Sequence, residues 1–151
     1  ETNVVLEDEI KMLKDYLELE SLRFDNAFSY KINIDEAINT NSIEVPFMIL
    51  QPFIENAIIH GLLNKEGHDK KLNISFKQNL NNLECTIDDN GIGREASGRK
   101  KNIHKNKSRG LEVTKERLKI INKTDDNITI IDKIGSNNEP LGTTVIIKIN
   151  L

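Results

Sequence analysis

Apolar residues in the first part of the chain repeat at two different periods, and the change of period marks where a helix gives way to a strand. Leu6, Ile10, Leu13 and Leu17 recur every three or four residues, with Leu22 and Phe24 further on, which predicts an amphipathic helix. In FSYKINID the spacing drops to two, and Phe28, Tyr30, Ile32 and Ile34 alternate with Ser29, Lys31, Asn33 and Asp35. Successive side chains on a strand point to opposite faces, so this run predicts a half-buried strand. A polar loop leads to Pro46. From there PFMILQPFIENAIIHG reads as a largely buried helix ending near Gly61, with Pro52 marking an irregular first turn or a kink.

Two more alternating runs follow. LNISFK places Leu72, Ile74 and Phe76 on one face, LECTI does the same with Leu83, Cys85 and Ile87, and QNLNN between them suits a hairpin. From Arg94 to Arg109 the apolar periodicity stops altogether. It returns at helical spacing in GLEVTKERLKIIN, with Leu111, Thr114, Leu118 and Ile121 on one side. NITIIDKI and GTTVIIKINL close the chain as strands joined by the turn-rich GSNNEPLG. Strands come in pairs with helices between them and no repeating parallel crossover. That order predicts an α/β two-layer sandwich, one mixed β-sheet covered on one face by helices.

Bulk properties narrow the function classes. With 151 residues the chain is one domain in size. Its net charge of −3 gives no general attraction to nucleic acid, and no aromatics interleave with its basic residues, so no nucleic-acid partner is expected. One cysteine, Cys85, excludes an internal disulfide and fits a reducing, cytoplasmic compartment. Cys85, His60, His68 and His104 have no spacing of the zinc kind. No run approaches the roughly 18 apolar residues of a membrane span. An opening at Glu1 in place of Met leads us to expect a fragment, with room for a membrane segment upstream.

Three separated motifs carry candidate chemistry. In ENAIIHG, Asn56 and His60 are four residues apart and share a helix face. An amide oxygen suits a hard cation, and an imidazole one turn away can donate to a phosphate. In ECTIDDNGIGR, Asn90-Gly91 looks like a hairpin turn, but no alternating strand follows. Sixteen residues of polar loop follow instead, from Arg94 to Arg109, and loops of that length in compact domains are usually functional or disordered. That loop carries Arg94, Arg99, Lys100, Lys101, Lys105, Lys107 and Arg109 against Glu95 alone, and it runs into Gly110 ahead of a helix whose free N–H groups attract anions. Together the three motifs describe a nucleotide cradle, although neither a Rossmann nor a phosphate-loop glycine pattern is present.

The order ENAIIHG, DDNGIG, long loop, SRGL and LGTTV resembles the ATP-binding domain, of Bergerat type, shared by gyrase, Hsp90, MutL and histidine kinases. RFDN, VPFMILQPFIENAIIHGL and TKERL resemble the LytS-type sensor histidine kinases most closely. The resemblance implies ATP and Mg2+ as ligands. Asn56 would coordinate the magnesium that bridges the triphosphate, and His60 would approach the phosphates from the next turn, the two catalytic positions. Asp89 would accept a hydrogen bond from the exocyclic amine of adenine. Gly91 and Gly93 would let the backbone pass close to the nucleotide. The loop from Arg94 to Arg109 would be the ATP lid, with Lys107, Ser108, Arg109, Gly110 and Leu111 at its nucleotide-binding end. Gly142 and Thr143 would form the last glycine box, Thr143 near the adenine.

The implied activity is transfer of the γ-phosphoryl of Mg-ATP to a histidine on an upstream dimerisation domain, for relay to the receiver domain of a response regulator. In the family that histidine lies near a PHFxxN motif, which this chain lacks. Residues 1–25 would be a helix linking to that domain and residues 26–151 the ATP-binding catalytic domain. The full-length protein would be a homodimeric, membrane-anchored sensor whose catalytic part is cytoplasmic. Two departures stand out. Ser108 occupies a place where the family usually has glycine, and Pro52 stands where the gyrase branch carries a water-activating glutamate. Glu55 is rotated by about 100° from the face of Asn56. The second departure suits a kinase over a hydrolase. An anti-sigma-type protein-serine kinase and a non-catalytic ATP-binding interaction module are the alternatives.

Overall fold

The computed structural model describes residues 2–94, 96 and 109–151, with the side chain of Arg109 left out. Its centre is a five-stranded sheet made, from edge to edge, of β2 (Ser29–Ile34), β4 (Lys71–Gln78), β5 (Asn82–Asp89), β7 (Pro140–Asn150) and β6 (Ile128–Ile134). β2 and β4 are parallel, because the chain between them crosses over through a helix, and the other pairs are antiparallel. The sheet is therefore mixed, as expected.

The period-two pattern decides which face is covered. Leu72, Ile74 and Phe76 of β4 pack with Leu83, Cys85 and Ile87 of β5, all buried, and with Ile147 and Ile149 of β7. Their alternate neighbours, among them Lys71, Asn73, Glu84 and Lys148, face out, so one side of the sheet is open. Leu6, Ile10, Leu13 and Leu17 of α1 (Leu6–Arg23) are buried in that same core, as is Leu118 of α3 (Arg109–Asn122). Leu22, which the sequence placed beyond the stripe, is exposed. Among the described residues no helix is long and apolar enough to cross a membrane.

The structure corrects two expectations about helix boundaries. The helix expected from Pro46 to Gly61 begins at Gln51: α2 (Gln51–Asn56) continues as a wider π-helical segment (Ala57–Leu62). Pro46 instead ends β3 (Glu44–Pro46), which pairs with β1 (Asn3–Val5) in a two-stranded ribbon. Pro52 sits in the first turn of α2, where its missing N–H leaves no bond unmade. Gly110, expected just ahead of its helix, lies inside the first turn of α3, and its carbonyl accepts the Thr114 hydroxyl at 2.8 Å. Glycine costs a helix less at such an end than in its interior.

Candidate functional site

The core face of the sheet changes character at one end. β5 runs Leu83, Cys85, Ile87 and then Asp89 along the buried side, so the alternation that buries three apolar residues buries a carboxyl as the fourth. Asp89 is 4% exposed and pairs across the ladder with Thr143 of β7, which is also buried. Burial pushes the Asp89 carboxyl above its ordinary range. The N–H groups of Gly91 and Thr143 and the charge of Lys133 pull it back in part, and Asp88 adds to the rise. The Gly91 N–H donates to Asp89 Oδ1 at 2.8 Å, which leaves the carboxylate further acceptor capacity.

The DNGIG turn is stitched in place by Asn90. Its side chain accepts the Lys71 N–H at 2.7 Å and donates to the Asp69 carbonyl at 3.1 Å, while its own N–H donates to the Lys71 carbonyl. Gly91 then lies flat on the π segment: a Cβ there would overlap the backbone of Gly61, and the Ile92 N–H donates to the Gly61 carbonyl at 3.2 Å. Gly142 has φ +116°, and a Cβ on it would run into the Asp89 carbonyl. Both glycines thus serve close backbone approach behind the site. Asp88, next to Asp89 in sequence, is held on the opposite face by the Thr144 hydroxyl at 2.5 Å and by Lys133 at 2.7 Å.

A cleft of about 260 Å³ opens above Asp89. Asn56 and His60, expected to share a face, both line it, together with Asp89, Gly93, Leu111 and Thr143. The cleft thus brings together residues from all three motifs and the last strand. Gly91 and Gly142 lie outside its lining, and Gly110 is exposed at the start of α3. Lys107 and Ser108, with Glu95, Arg99, Lys100, Lys101, His104 and Lys105, lie outside the described residues, as does the side chain of Arg109.

Several lining residues were not anticipated. Phe53 and Ala57 come from the helix of Asn56, Ile130 and Val145 from the sheet, and Lys115 from one turn beyond Leu111. Periodicity held the signal for these: Val145 is the next inward position after Thr143, and Lys115 is four residues from Leu111 on a helix. Arg94 lines the cleft too, but its guanidinium forks onto Asp132 of β6, with Nε and Nη2 at 2.8 and 2.6 Å from the two carboxylate oxygens. It is therefore already paired, which removes it from the cations awaiting a local anion. The pairing holds the Asp132 carboxyl below its usual range and raises Arg94. Chemically, the cleft offers apolar walls, a buried carboxylate acceptor at its base, and an amide and an imidazole on one wall.

No family model matches the chain. Sensor protein LytS of Oceanobacillus iheyensis is 35% identical over 115 residues, covering 73% of this chain and 19% of that protein. Sensor protein kinase HptS of Staphylococcus aureus is 35% identical over 95 residues, covering 62% of this chain and 17% of that protein. The chain thus spans less than a fifth of the length of these two relatives. Among solved structures, the catalytic domain of histidine kinase ThkA matches with a TM-score of 0.67 at 14% identity, over 99% of this chain and 96% of that one. ThkA in complex with the response regulator protein TrrA matches with a TM-score of 0.55 at 15% identity, over 99% of this chain and 41% of that one. At such identities the structural likeness speaks for the fold.

Proposed function

The chain belongs with the catalytic domains of LytS-type sensor histidine kinases, and from that premise we propose that it binds Mg-ATP in this cleft and transfers the γ-phosphoryl group to a histidine on another domain. The observation that carries the reading is the buried Asp89 at the base of a cleft whose wall presents Asn56 and His60. In it, Asp89 accepts a hydrogen bond from the exocyclic amine of adenine, with Thr143 beside it. Ile130, Val145 and Leu111 provide apolar surface for the base. Gly91 and Gly142 keep the Asp89 turn in place from behind, and Gly93 borders the nucleotide. His60 approaches the phosphates, and binding them is also the role proposed for Lys107, Ser108, Arg109 and Gly110.

Among the described residues no group of three or more His, Cys, Asp or Glu side chains could hold a metal by itself. Magnesium suits such a site, since it keeps several waters and is commonly bound through substrate phosphates with one or two protein oxygens. Asn56 would supply that oxygen, and the ion when bound neutralises charge on the phosphates. The chain's own residues orient the nucleotide, and positioning supplies much of the catalysis in phosphoryl transfer. No acid sits one turn before Asn56 to activate water, because that place is Pro52.

The acceptor is a histidine on an upstream dimerisation domain, and the phosphoryl group passes on to a response regulator. The solved complex of ThkA with TrrA supports that kind of partner. In this reading the full-length protein is a homodimer anchored in a membrane, with α1 leading towards the dimerisation domain. The named relatives are sensor kinases, which disfavours the serine-kinase alternative. The test is to mix the chain with γ-labelled ATP, magnesium and the histidine-bearing domain of a LytS-type kinase. Acid-labile label on that domain is expected. Acid-stable label, or none while ATP is bound, would overturn the assignment.

A further inference from the structure

Away from the cleft, three elements converge on the turn formed by residues 46–50, which leads into α2. Glu9 of α1 is 1% exposed there. Its Oε2 accepts the Met48 N–H at 3.1 Å, and the N–H groups of Ile49 and Leu50 add to the field that favours its charged form. Arg117 of α3 donates through Nη2 to the Phe47 carbonyl at 2.8 Å, and its charge attracts Glu9. Between them Met48 holds φ +54°, a left-handed conformation that a non-glycine residue adopts only when its surroundings impose it.

This junction pins the turn that enters α2. Leu50, the residue that caps α2, makes no side-chain bond to the helix. The Glu9 carboxyl from α1 holds the turn just before the helix instead, on the side of its positive end. Burial pushes Glu9 upward while the three N–H groups and Arg117 pull it down, as fits an acid surrounded by donors. Asn56 lies about 9 Å further along the helix axis, at 1.5 Å per residue, and α2 runs unbroken from Gln51 to Asn56.

We propose that Glu9 and Arg117 form a strut that fixes where α2 starts, so that the placement of Asn56 and His60, and with it the affinity for phosphates, depends on how α1 and α3 are held. Both are positioning residues. This rests on the cleft being the Mg-ATP site. It couples α1, which lies outside the cleft, to the phosphate end of that site, and α3 brings Leu111 and Lys115 to the lining of the same cleft.

The test uses Glu9→Gln, which keeps shape and removes charge, and Arg117→Met, which keeps the aliphatic stem. Mg-ATP affinity should fall about tenfold or more in each, the scale of one charge-assisted hydrogen bond. Binding of adenosine, which lacks phosphates, should stay at the wild-type level. Amide exchange at Met48, Ile49 and Leu50 should accelerate in Glu9→Gln while that of Leu13 and Leu17 does not. Equal losses for ATP and adenosine, unchanged ATP affinity, or unchanged exchange at those three amides would each overturn the strut. If wild-type protein bound neither ligand, the nucleotide reading would fall, and the exchange measurement would still decide the strut.

Discussion

Replacing Asp89 with asparagine keeps the shape of the buried side chain and removes its charge. The oxygen of the new amide can still accept the bond that the Gly91 N–H makes to Asp89 at 2.8 Å. That orientation turns the amide nitrogen, a donor, toward the space where the adenine amine is expected. A donor then meets a donor. The lost bond to a charged acceptor is worth about 1.5–3 kcal/mol, so ATP affinity should fall by about 10- to 150-fold at 1.4 kcal/mol per decade. Inosine triphosphate offers an oxygen at the same place and should gain on ATP in the variant. Stability should move the other way. Burial raises the Asp89 pKa above its unfolded value, so the native state holds its proton more tightly, and stability falls as pH rises from the unfolded pKa through the raised one. The variant lacks that slope and should be at least as stable as wild type at neutral pH. Calorimetric titration with both nucleotides, beside urea denaturation at several pH values, reads both effects. An unchanged ratio of ATP to inosine triphosphate affinity would remove Asp89 as the reader of the base.

Gly91→Ala should destabilise the fold by about 1–3 kcal/mol, the usual cost of overpacking, because the new methyl would overlap the Gly61 backbone; urea midpoints check this. Removing the Arg94–Asp132 pair by Asp132→Asn should cost less than about 1 kcal/mol and less still at high salt, since both side chains are about half exposed; denaturation at two ionic strengths measures it. Cys85 is fully buried and its thiol is pushed well above the usual range by that burial, so thiol reagents should label it only after unfolding, as mass spectrometry of native and denatured protein would reveal.

The central strands were legible because period-two alternation over Leu72, Ile74 and Phe76, and over Leu83, Cys85 and Ile87, has one physical meaning, a sheet with one buried face. α1 was legible for the same reason at the helical period. The β1–β3 ribbon was not, since three-residue strands are too short to show a period. The start of α2 was misplaced because PFMIL is as apolar as the helix it precedes, and the contacts with Glu9 and Arg117 that help hold Met48 in its left-handed turn are tertiary. The π-helical segment left no mark on the sequence, since apolar periodicity does not distinguish it from a continuing α-helix. At the site, Asn56, His60, Asp89 and Thr143 could be named from motifs. The pairing of Asp88 was not legible, because its partners Lys133 and Thr144 lie far along the chain, and Arg94 looked like a free cation for want of knowing that Asp132 faces it.

The most direct measurement is a titration of the isotope-labelled chain with ATP, with and without magnesium, followed by backbone amide resonances. Saturable shifts are expected at Asp89, Gly91, Gly93 and Thr143 under both conditions, and at Asn56 and His60 with a stronger response when magnesium is present. Absence of binding, or shifts confined to residues away from the cleft, would contradict the assignment of this cleft as the nucleotide site.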